Sequence, residues 1–555
     1  MGCLIGLIAA EIIVTTTSVD VLVIGGGATG AAALYDLARR GVRALLVDQL
    51  DFTTGTSGRY HGLLHSGGRY AGHDLETARE CIVENQILRR IAPFAVEDTG
   101  GLFVATPVDP ADFPARWLDG CAKAGIPAEP LTPAQARAEE PALTPHITAV
   151  YRVPDASVDS FDLIHGLVEA ARAYGSDAWI YQRVIALLRE GDAVVGATLE
   201  DTRTGERRTV HAACIINATG PWAGVVAGLA GLDVKVLFSR GAMIAMNTRW
   251  VNTIVNRLRP ADDGDILVPV GTVCVLGTTS VTTDRPDDYR IEPWEVSKIL
   301  AEADVVVPGI RYGRALRAWA GVRPLYEPPE VTRGEVEGRA VKRTFSVIDH
   351  AERDGVRGLV TVTGGKLTTC RLMAEKAVDV ACAQLGVSTP CSTTDEVLPI
   401  PAAAPRRYHR LDHRLHKLEH GELPGALICE CELVTRPQLE AAIAAYGEQP
   451  VALDDLRRDL RLGMGPCQAG FCGVRAAGTL QSARKLSAEQ AVQALSAFVD
   501  ERFRGVRPLL WGHQLRQLYL DELIYRRILG LDALLESTPT TPAALAAATE
   551  EVSRD

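Results

Sequence analysis

A glycine-rich turn between an apolar strand and a helix constrains the fold of this chain more than any other feature. The apolar run VDVLVI at 19–24 is followed by GGGATG at 25–30, by a helical pattern, and by a second apolar run that ends at Asp48. Uninterrupted apolar runs are typical of parallel strands that are buried on both faces. The segment predicts a βαβ unit, and similar patterns up to about residue 385 predict one large α/β body with interleaved segments.

The same turn predicts a dinucleotide-binding site of the Rossmann type. In the spacing GxGxxG, Gly25 permits the tight turn, Gly27 lets a pyrophosphate approach the backbone, and Gly30 lets the helix pack closely on the strand. The helix N-terminus then faces the phosphates, because its first backbone N–H groups have no partners within the helix. Asp48, at the end of the next strand, is suited to bind the ribose hydroxyl groups.

Two distant segments favour FAD over a nicotinamide cofactor. Residues 214–220 (CIINATG) are similar to the strand and turn that flavoproteins place beside the adenine, and Val184 begins a strand of the kind whose backbone contacts it. Residues 364–369 (GGKLTT) offer backbone N–H groups and hydroxyls to the flavin end. The predicted FAD-binding residues are Gly25, Gly27, Gly30, Asp48, Thr54, Ser57, Val184, Thr219, Gly220, Gly365 and Thr368.

The composition excludes several other classes of protein. With 555 residues, 47% hydrophobic and 23% charged, the chain has the balance of a globular protein with several structural units. Its formal net charge of −11 provides no basic surface for a phosphate backbone, so nucleic acid is not an expected partner. The apolar run at 1–14 contains Glu11, is too short to span a bilayer, and lacks the charged start of a secretory signal. We therefore expect a reducing compartment, where clustered cysteines serve metals.

Three further motifs carry a resemblance to a known family. They are TTGTSGRYHGLLHSGGRY at 53–70, AGVRP at 320–324 and TGGKLTT at 363–369. In this order after the glycine-rich turn, they resemble the FAD-dependent glycerol-3-phosphate dehydrogenases, and most of all the catalytic A chain of the anaerobic enzyme. The resemblance implies a D-amino-acid-oxidase-like body in which hydride passes from C2 of sn-glycerol 3-phosphate to the flavin, forming dihydroxyacetone phosphate.

The resemblance also implies a set of substrate residues. Arginine binds phosphate through two parallel hydrogen bonds and lysine supplies a point charge, so the matched cations are expected to hold the phosphate. We expect His65 to accept the C2 hydroxyl proton, since neutral imidazole accepts protons near pH 7, with His61 as the second candidate. A core or flavin-packing role for His65 stays open. The predicted catalytic residues are His65, Arg69, Tyr70, Arg323, Arg343 and Lys366.

Four cysteines in the C-terminal quarter predict a second cofactor. Cys429 and Cys431 form a CxC pair, and Cys467 and Cys472 form CxxxxC in the context GMGPCQ. Four thiolates can ligate a [2Fe–2S] cluster, and the pattern resembles the bacterioferritin-associated-ferredoxin-like domain that is fused to several dehydrogenases. A zinc site and unligated thiols are the alternatives, although four-cysteine zinc sites usually have two to four residues between the cysteines of each pair.

A one-electron cluster fused to a two-electron flavin predicts an exit path for electrons towards another protein. In the resembled family, electrons pass through partner subunits of the B and C types to a membrane quinone. We therefore expect this chain to be cytoplasmic and peripheral on the cytoplasmic face of the cell membrane. The apolar, arginine-rich segment near the C-terminus could dock on a partner or a membrane surface, although a pair of packed helices is the preferred interpretation.

These assignments divide the chain into six parts. The predicted organisation is an extension at 1–17, the FAD-dependent body with its substrate-binding part at 18–386, a linker at 387–424, a [2Fe–2S] domain at 425–480, a helical segment at 481–535 and a flexible tail at 536–555.

Two other functions stay open from the sequence alone. An amino-acid or opine-type dehydrogenase would keep the flavin and the cluster, but its pocket typically needs one arginine for a carboxylate, whereas several cations indicate a phosphate. An electron-transfer or iron-sensing module with a vestigial flavin site conflicts with the intact glycines and Asp48. Four histidines on one helical face could bind a divalent metal, although an exposed polar helix is the preferred interpretation. They are His409, His413, His416 and His420.

Overall fold

The computed structural model describes residues 15–326, 344–400 and 411–531. Within these ranges the chain forms two large sheets and two small ones, with helices between the strands. The strands are β1 (Thr15–Ile24), β2 (Ala44–Val47), β3 (Leu63–Leu64), β4 (Val96–Glu97), β5 (Gly101–Ala105), β6 (Glu129–Pro130), β7 (Ala149–Val153), β8 (Ala156–Val158), β9 (Asp177–Trp179), β10 (Gln182–Glu190), β11 (Ala193–Asp201), β12 (Arg207–Asn217), β13 (Val236–Met246), β14 (Ile254–Arg257), β15 (Ile266–Val270), β16 (Val273–Gly277), β17 (Val281–Thr283), β18 (Ala315–Tyr326), β19 (Phe345–Asp349), β20 (Leu359–Gly364), β21 (Leu427–Cys429) and β22 (Val434–Thr435). The helices are α1 (Ala28–Arg39), α2 (Leu75–Ile91), α3 (Phe113–Ala124), α4 (Pro133–Glu139), α5 (Ser160–Ala173), α6 (Ala223–Gly228), α7 (Pro293–Val306), α8 (His350–Asp354), α9 (Cys370–Leu385), α10 (Leu411–Glu419), α11 (Arg436–Ala445), α12 (Leu453–Leu460), α13 (Cys472–Arg484), α14 (Ala488–Val506) and α15 (Gly512–Glu522).

An eight-stranded sheet carries the glycine-rich turn. β1 lies between β12 and β2 and is parallel to both, with Val21 opposite Cys214 and Ala44. The order is β10-β11-β12-β1-β2-β9, and β20 is parallel to β12 and antiparallel to β19. α1 packs against α5 and α9, and the apolar residues 21–24 and 44–47 are buried, which is why neither run alternates.

The first strand begins earlier than the sequence predicts. Thr15 is already opposite Arg208 in the parallel pairing of β1 with β12. The predicted extension at 1–17 is therefore too long, because its last three residues belong to the sheet. Residues 1–14 lie outside the described residues.

A nine-stranded sheet forms the second half of the body. Its order is β17-β13-β16-β15-β14-β5-β7-β6, and β18 pairs with β13 along an antiparallel ladder from Val236 opposite Tyr326 to Met246 opposite Ala315. β5 and β7 precede β10 in the chain, whereas β13 to β18 follow β12, so the two sheets are built from alternating segments. This is the α/β body with interleaved segments that the sequence predicts.

The C-terminal residues have a core of their own. β21 pairs with β22, and α11 to α14 enclose an apolar cluster around Leu456. Polar contacts join this part to the body: Arg458 lies 3.0 Å from Asp51, and Arg314 donates to the Pro466 carbonyl at 2.7 Å. Arg314, just before β18, therefore links the body to the segment that precedes Cys467.

The segment predicted as a linker at 387–424 is structured at both of its ends. Leu398 is buried, and its N–H donates to the Ile91 carbonyl at 2.7 Å. α10 occupies the other end of the segment. The predicted linker is therefore too long, and residues 401–410 between its ends lie outside the described residues.

α14 and α15 pack on the cysteine-containing part, as the preferred interpretation of the C-terminal segment predicts. Phe498 is buried in its core, and the Tyr525 hydroxyl donates to the Ala469 carbonyl at 2.7 Å. Leu515 and Tyr519 are exposed on the outer side of α15. Among the helices described in these ranges, none combines the length and the apolar character needed to cross a membrane.

Candidate active site

A single large cavity contains most of the residues that the sequence singles out. It has a volume of about 1850 Å³ and lies where the two sheets and the C-terminal part meet. Gly30 does not line it. The predicted FAD-binding residues on its wall are Gly25, Gly27, Asp48, Thr54, Ser57, Val184, Thr219, Gly220, Gly365 and Thr368.

The glycine-rich turn is fixed by close backbone contacts. Gly25 has a φ of +109°, and a Cβ at this position would lie 2.7 Å from the Ala218 carbonyl oxygen. A Cβ on Gly30 would lie 1.9 Å from the Gly25 carbonyl oxygen, which explains why Gly30 packs the helix on the turn and stays away from the cavity. The first helical N–H, on Ala28, donates to the Ser57 hydroxyl at 3.0 Å. The turn thus provides the close approach to backbone that a pyrophosphate needs.

Asp48 is held at the end of β2 by two backbone donors. The N–H groups of Gly26 and Leu50 donate to its carboxylate at 2.7 and 2.9 Å. Burial raises the pKa of Asp48 to about 6, while these hydrogen bonds act in the opposite direction. A carboxylate oriented in this way is suited to accept hydrogen bonds from ribose hydroxyls.

The flavin end of the cavity is also shaped by backbone. Gly364 and Gly365 have φ values of +83° and +69°, and a Cβ on Gly365 would lie 2.4 Å from the Met373 sulfur. Thr368 precedes α9, and its hydroxyl accepts a hydrogen bond from the His65 N–H at 3.1 Å. At the other end, the ladder of β10 is irregular between Val184 and Ala186. The cavity is thus lined by residues from every segment in which the sequence predicts contacts to FAD.

Two motifs that are far apart in the sequence meet at the end of the cavity where the sequence predicts the substrate. Lys366 Nζ lies 5.0 Å from the centroid of the Tyr70 ring, and the His65 ring centroid lies 5.7 Å from the same ring. Arg69 is 3.3 Å from the Asp265 carboxylate, which orients its guanidinium. All four residues, Lys366, Tyr70, His65 and Arg69, line the cavity.

Arg323 lies on β18 and enters the same end of the cavity. Its guanidinium donates to the hydroxyls of Ser239 and Thr278 at 3.2 and 2.6 Å and to the Thr279 carbonyl at 3.0 Å. These uncharged acceptors orient the guanidinium within the cavity. Arg343, the remaining predicted cation, lies outside the described residues.

His61 is neutral in this environment. Burial, followed by the positive charges of Arg323 and Arg69, lowers the pKa of His61 to about 3. Its Nδ1 accepts the Leu63 N–H at 3.1 Å, so the ring proton is on Nε2. In this tautomer His61 is a hydrogen-bond donor at Nε2, which favours His65, whose ring centroid is 5.9 Å away, as the base.

The structure adds two residues that the sequence did not single out. The Arg59 guanidinium stacks over the Tyr289 ring at 4.1 Å from its centroid, and both side chains line the cavity. Arg59 is inside the motif at 53–70 and could have been found there. Tyr289 belongs to a loop without a recognisable pattern, and only the fold brings it to the cavity.

The four predicted ligand cysteines lie together and form no disulfide. Their thiols contact each other in a ring, which we call the cysteine ring, in the order Cys429, Cys431, Cys467, Cys472. The interaction of each thiol with its two neighbours in the ring lowers the pKa of Cys429 and that of Cys467. A Cβ on Gly465 would lie 2.3 Å from Cys431 Cβ, so the loop needs a glycine there.

Each thiol of the cysteine ring interacts with two other thiols of the ring. Among residues 15–326, 344–400 and 411–531, no group of three or more His, Cys, Asp or Glu side chains is arranged to hold a metal ion. The ring centroids of His416 and His420 are 4.0 Å apart, whereas His409 and the His413 side chain lie outside the described residues.

Comparisons with known proteins agree with this geometry. The family model "DAO: FAD dependent oxidoreductase" matches residues 20–378. The A chain of the anaerobic glycerol-3-phosphate dehydrogenase of Escherichia coli (strain K12) is 41% identical over 534 residues, covering 93% of this chain and 97% of that protein. The chain belongs to this family of dehydrogenase A chains. A further member, the A1 chain of the Haloferax volcanii enzyme, is 40% identical over 93% of this chain and 91% of that protein.

A solved structure shares the fold of this member of the A-chain family. The glycerol-3-phosphate dehydrogenase from Bacillus halodurans, complexed with FAD, has a TM-score of 0.61 and 21% identity, and the match covers 89% of this chain and 97% of that one. Family and fold together confirm the predicted flavin oxidoreductase and its resemblance to glycerol-3-phosphate dehydrogenases.

Proposed function

We propose that this chain oxidises sn-glycerol 3-phosphate to dihydroxyacetone phosphate with bound FAD as the hydride acceptor. The observation that carries the proposal is the convergence of Arg69, Arg323 and Lys366 on one end of the cavity, beside His61 and His65. The names of the A-chain relatives, which share about two fifths of their residues with this chain, support the same substrate.

The cations account for binding of the phosphate. Arg69 and Arg323 offer planar forks that match two phosphate oxygens, and Lys366 adds a point charge. Asp265 orients Arg69, and uncharged acceptors orient Arg323. Because a phosphate monoester carries up to two negative charges at neutral pH, three cations suit it better than they suit a single carboxylate.

His65 and His61 have different roles at the C2 hydroxyl group of the substrate. His65 accepts the hydroxyl proton at a ring nitrogen, and His61 donates its Nε2–H to the same substrate oxygen. A pKa of about 3 keeps His61 neutral throughout the physiological range, so its ring does not become a competing acid. The FAD, when bound, supplies the acceptor for the hydride that leaves C2.

We further propose that electrons leave through a [2Fe–2S] cluster held by the cysteine ring. Four thiols in mutual contact on glycine-containing loops are the donor set that such a cluster requires. Met464, three residues before Cys467, lines the same cavity as the flavin-binding residues, and Arg314 fixes the Pro466 carbonyl. From there electrons would pass to B-type and C-type subunits and a membrane quinone, with this chain peripheral on the cytoplasmic face.

The test is an anaerobic absorbance spectrum of the FAD-loaded protein before and after the addition of sn-glycerol 3-phosphate. Bleaching of the flavin bands by this substrate, and not by amino acids, is the expected result. Bleaching by an amino acid but not by glycerol 3-phosphate would replace the proposal by the amino-acid dehydrogenase. Adding the Arg323→Ala variant to the same experiment separates the phosphate contact from the flavin chemistry.

A further inference from the structure

A second group of arginines lies far along β18 from the substrate residues. Arg317 and Arg323 are six residues apart on this strand, and a strand rises about 3.3 Å per residue, so their Cα atoms are about 20 Å apart. The Arg317 guanidinium is 3.6 Å from the Glu501 carboxylate on α14. We call this region of the cavity the arginine end. It is lined by Arg317, Arg457, Arg502 and Arg504, with Asp454 and Glu501.

Arg502 is a buried cation whose hydrogen-bonding groups are not satisfied. Its side chain is 1% exposed, and none of its three guanidinium nitrogens has a hydrogen-bond partner among the described residues. Within the same part of the chain, Nε of Arg317 is also buried without a partner. A buried charge without compensation is strongly unfavourable, and buried polar groups that lack partners often indicate an ion or ligand. An acceptor is therefore missing at the arginine end.

The charges of this region are also unbalanced. Four guanidinium groups accompany two carboxylates, which leaves an excess of two positive charges. Burial and the neighbouring charge of Arg457 lower the pKa of Arg317 to about 10, an effect that Glu501 only partly opposes. A ligand with two negative charges would restore the balance, and guanidinium forks match the oxygens of phosphate.

We propose that the arginine end binds a phosphate dianion, either free phosphate or the phosphate group of an ester, at a site separate from the substrate. Because the guanidinium nitrogens of Arg502 are buried, the proposal requires a rotamer change that brings them to the anion.

The bound anion would sit where the body meets the C-terminal part. β18 carries Arg323 at the substrate and Arg317 at the arginine end, and Arg314, just before the strand, contacts Pro466 beside the cysteine ring. α14, which carries Arg502, packs against β18. The proposed ligand therefore bridges the two parts of the chain at their junction.

The test counts bound phosphate on the FAD-loaded full-length protein by isothermal titration, first with inorganic phosphate and then with glycerol 2-phosphate. We expect two sites per wild-type chain and one site each in Arg323→Met and Arg502→Met. The site that remains in Arg502→Met is displaced by sn-glycerol 3-phosphate at the concentrations that saturate the wild-type substrate site, whereas the one that remains in Arg323→Met is not displaced at those concentrations. Arg357→Met, which removes an exposed cation paired with Asp192, keeps both sites.

The measured affinities, and the comparison of inorganic phosphate with glycerol 2-phosphate, give further information on the arginine end. Loss of one guanidinium fork weakens binding at the arginine end by about tenfold or more. Binding of inorganic phosphate alone at this end identifies free phosphate as the ligand, and binding of both identifies a phosphate ester as well. A single site in the wild-type chain that disappears in Arg323→Met overturns the proposal.

Thermal unfolding in phosphate-free buffer checks that the variant is folded. Because Met replaces a buried charge without a partner, Arg502→Met should keep or raise Tm while losing the stabilisation by phosphate. If Arg502→Met fails to fold, Arg317→Met takes its place in the titration. A folded Arg317→Met protein that keeps both sites at wild-type affinity also overturns the proposal.

Discussion

The FAD end and the substrate end of the cavity are built in different ways. At the FAD end the backbone itself forms the wall, and a single added carbon on Gly30 would lie 1.9 Å from another backbone atom. At the substrate end, the wall consists of charged side chains from separate segments, including Arg69, Arg323 and Lys366. The FAD end therefore depends on glycines that leave room for close backbone contacts, whereas the substrate end depends on the number and orientation of charged side chains.

Gly30→Ala should have the largest effect at the FAD end. The new Cβ would meet the Gly25 carbonyl oxygen, which cannot move without opening the turn, at a cost above about 4 kcal/mol. We expect almost no FAD in the purified protein, measured by absorbance after denaturation. Gly41→Ala, in the same βαβ unit, is the matched control, because no atom lies within 4 Å of its Cβ and only its φ of +77° is strained. Equal FAD content in both variants would refute the steric account.

The cysteine ring is a third kind of site, which we propose to consist of metal-ligating side chains. Cys467→Ser should abolish the cluster absorbance while sn-glycerol 3-phosphate still bleaches the flavin, because none of the four ring cysteines lines the cavity proposed for FAD and substrate. Iron content and the visible spectrum measure the effect. Cys391→Ser, at a half-buried cysteine outside the ring, should keep the cluster. Full cluster absorbance in Cys467→Ser would exclude Cys467 as a ligand.

Arg323→Ala should change substrate binding without changing FAD content. The loss of one charge-assisted contact, worth about 1.5–3 kcal/mol, raises KM for sn-glycerol 3-phosphate by about 10- to 100-fold. Steady-state kinetics with an artificial electron acceptor measure this effect. Arg285→Ala, at an exposed arginine that pairs with Asp287, provides the control and should keep the wild-type KM. An unaltered KM in Arg323→Ala would show that Arg323 does not bind the substrate. Loss of FAD from this variant would contradict the separation of the FAD end from the substrate end.

His61 should make a small, pH-dependent contribution to stability. Its pKa is about 3 in the folded chain, against about 6.5 in an unfolded one, so the unfolded state binds a proton first as pH falls. The contribution is complete above pH 6.5 and is lost progressively between pH 6.5 and 3, by about 1 kcal/mol over the first pH unit. Urea unfolding of wild type and His61→Gln at pH 7.0 and 5.5 measures the difference. Equal pH dependence in the two proteins would show that His61 is not held neutral.

The sequence located the FAD end more completely than the substrate end. Gly25, Gly27 and Asp48 belong to one local unit, in which strand, turn and helix are consecutive. Their spacing alone was therefore enough to predict the nucleotide site. Tyr289 and Asp265 have no motif around them. Tyr289 lines the cavity and Asp265 contacts Arg69 only because β13 to β18 form the second sheet. The extension predicted at 1–17 and the linker predicted at 387–424 were both too long. Composition alone does not reveal that Thr15 pairs with Arg208 in the sheet or that Leu398 is buried.

The sequence by itself determined the nucleotide turn, the α/β body and the identity of the four ring cysteines, because each follows from residues at fixed local spacing. Only the tertiary structure decided that His61 is neutral, that Arg323 and Lys366 face the same end of the cavity, and that Arg502 is buried with no hydrogen-bond partner among the described residues. Charge and burial depend on every neighbour in space, and most of these neighbours are distant along the chain.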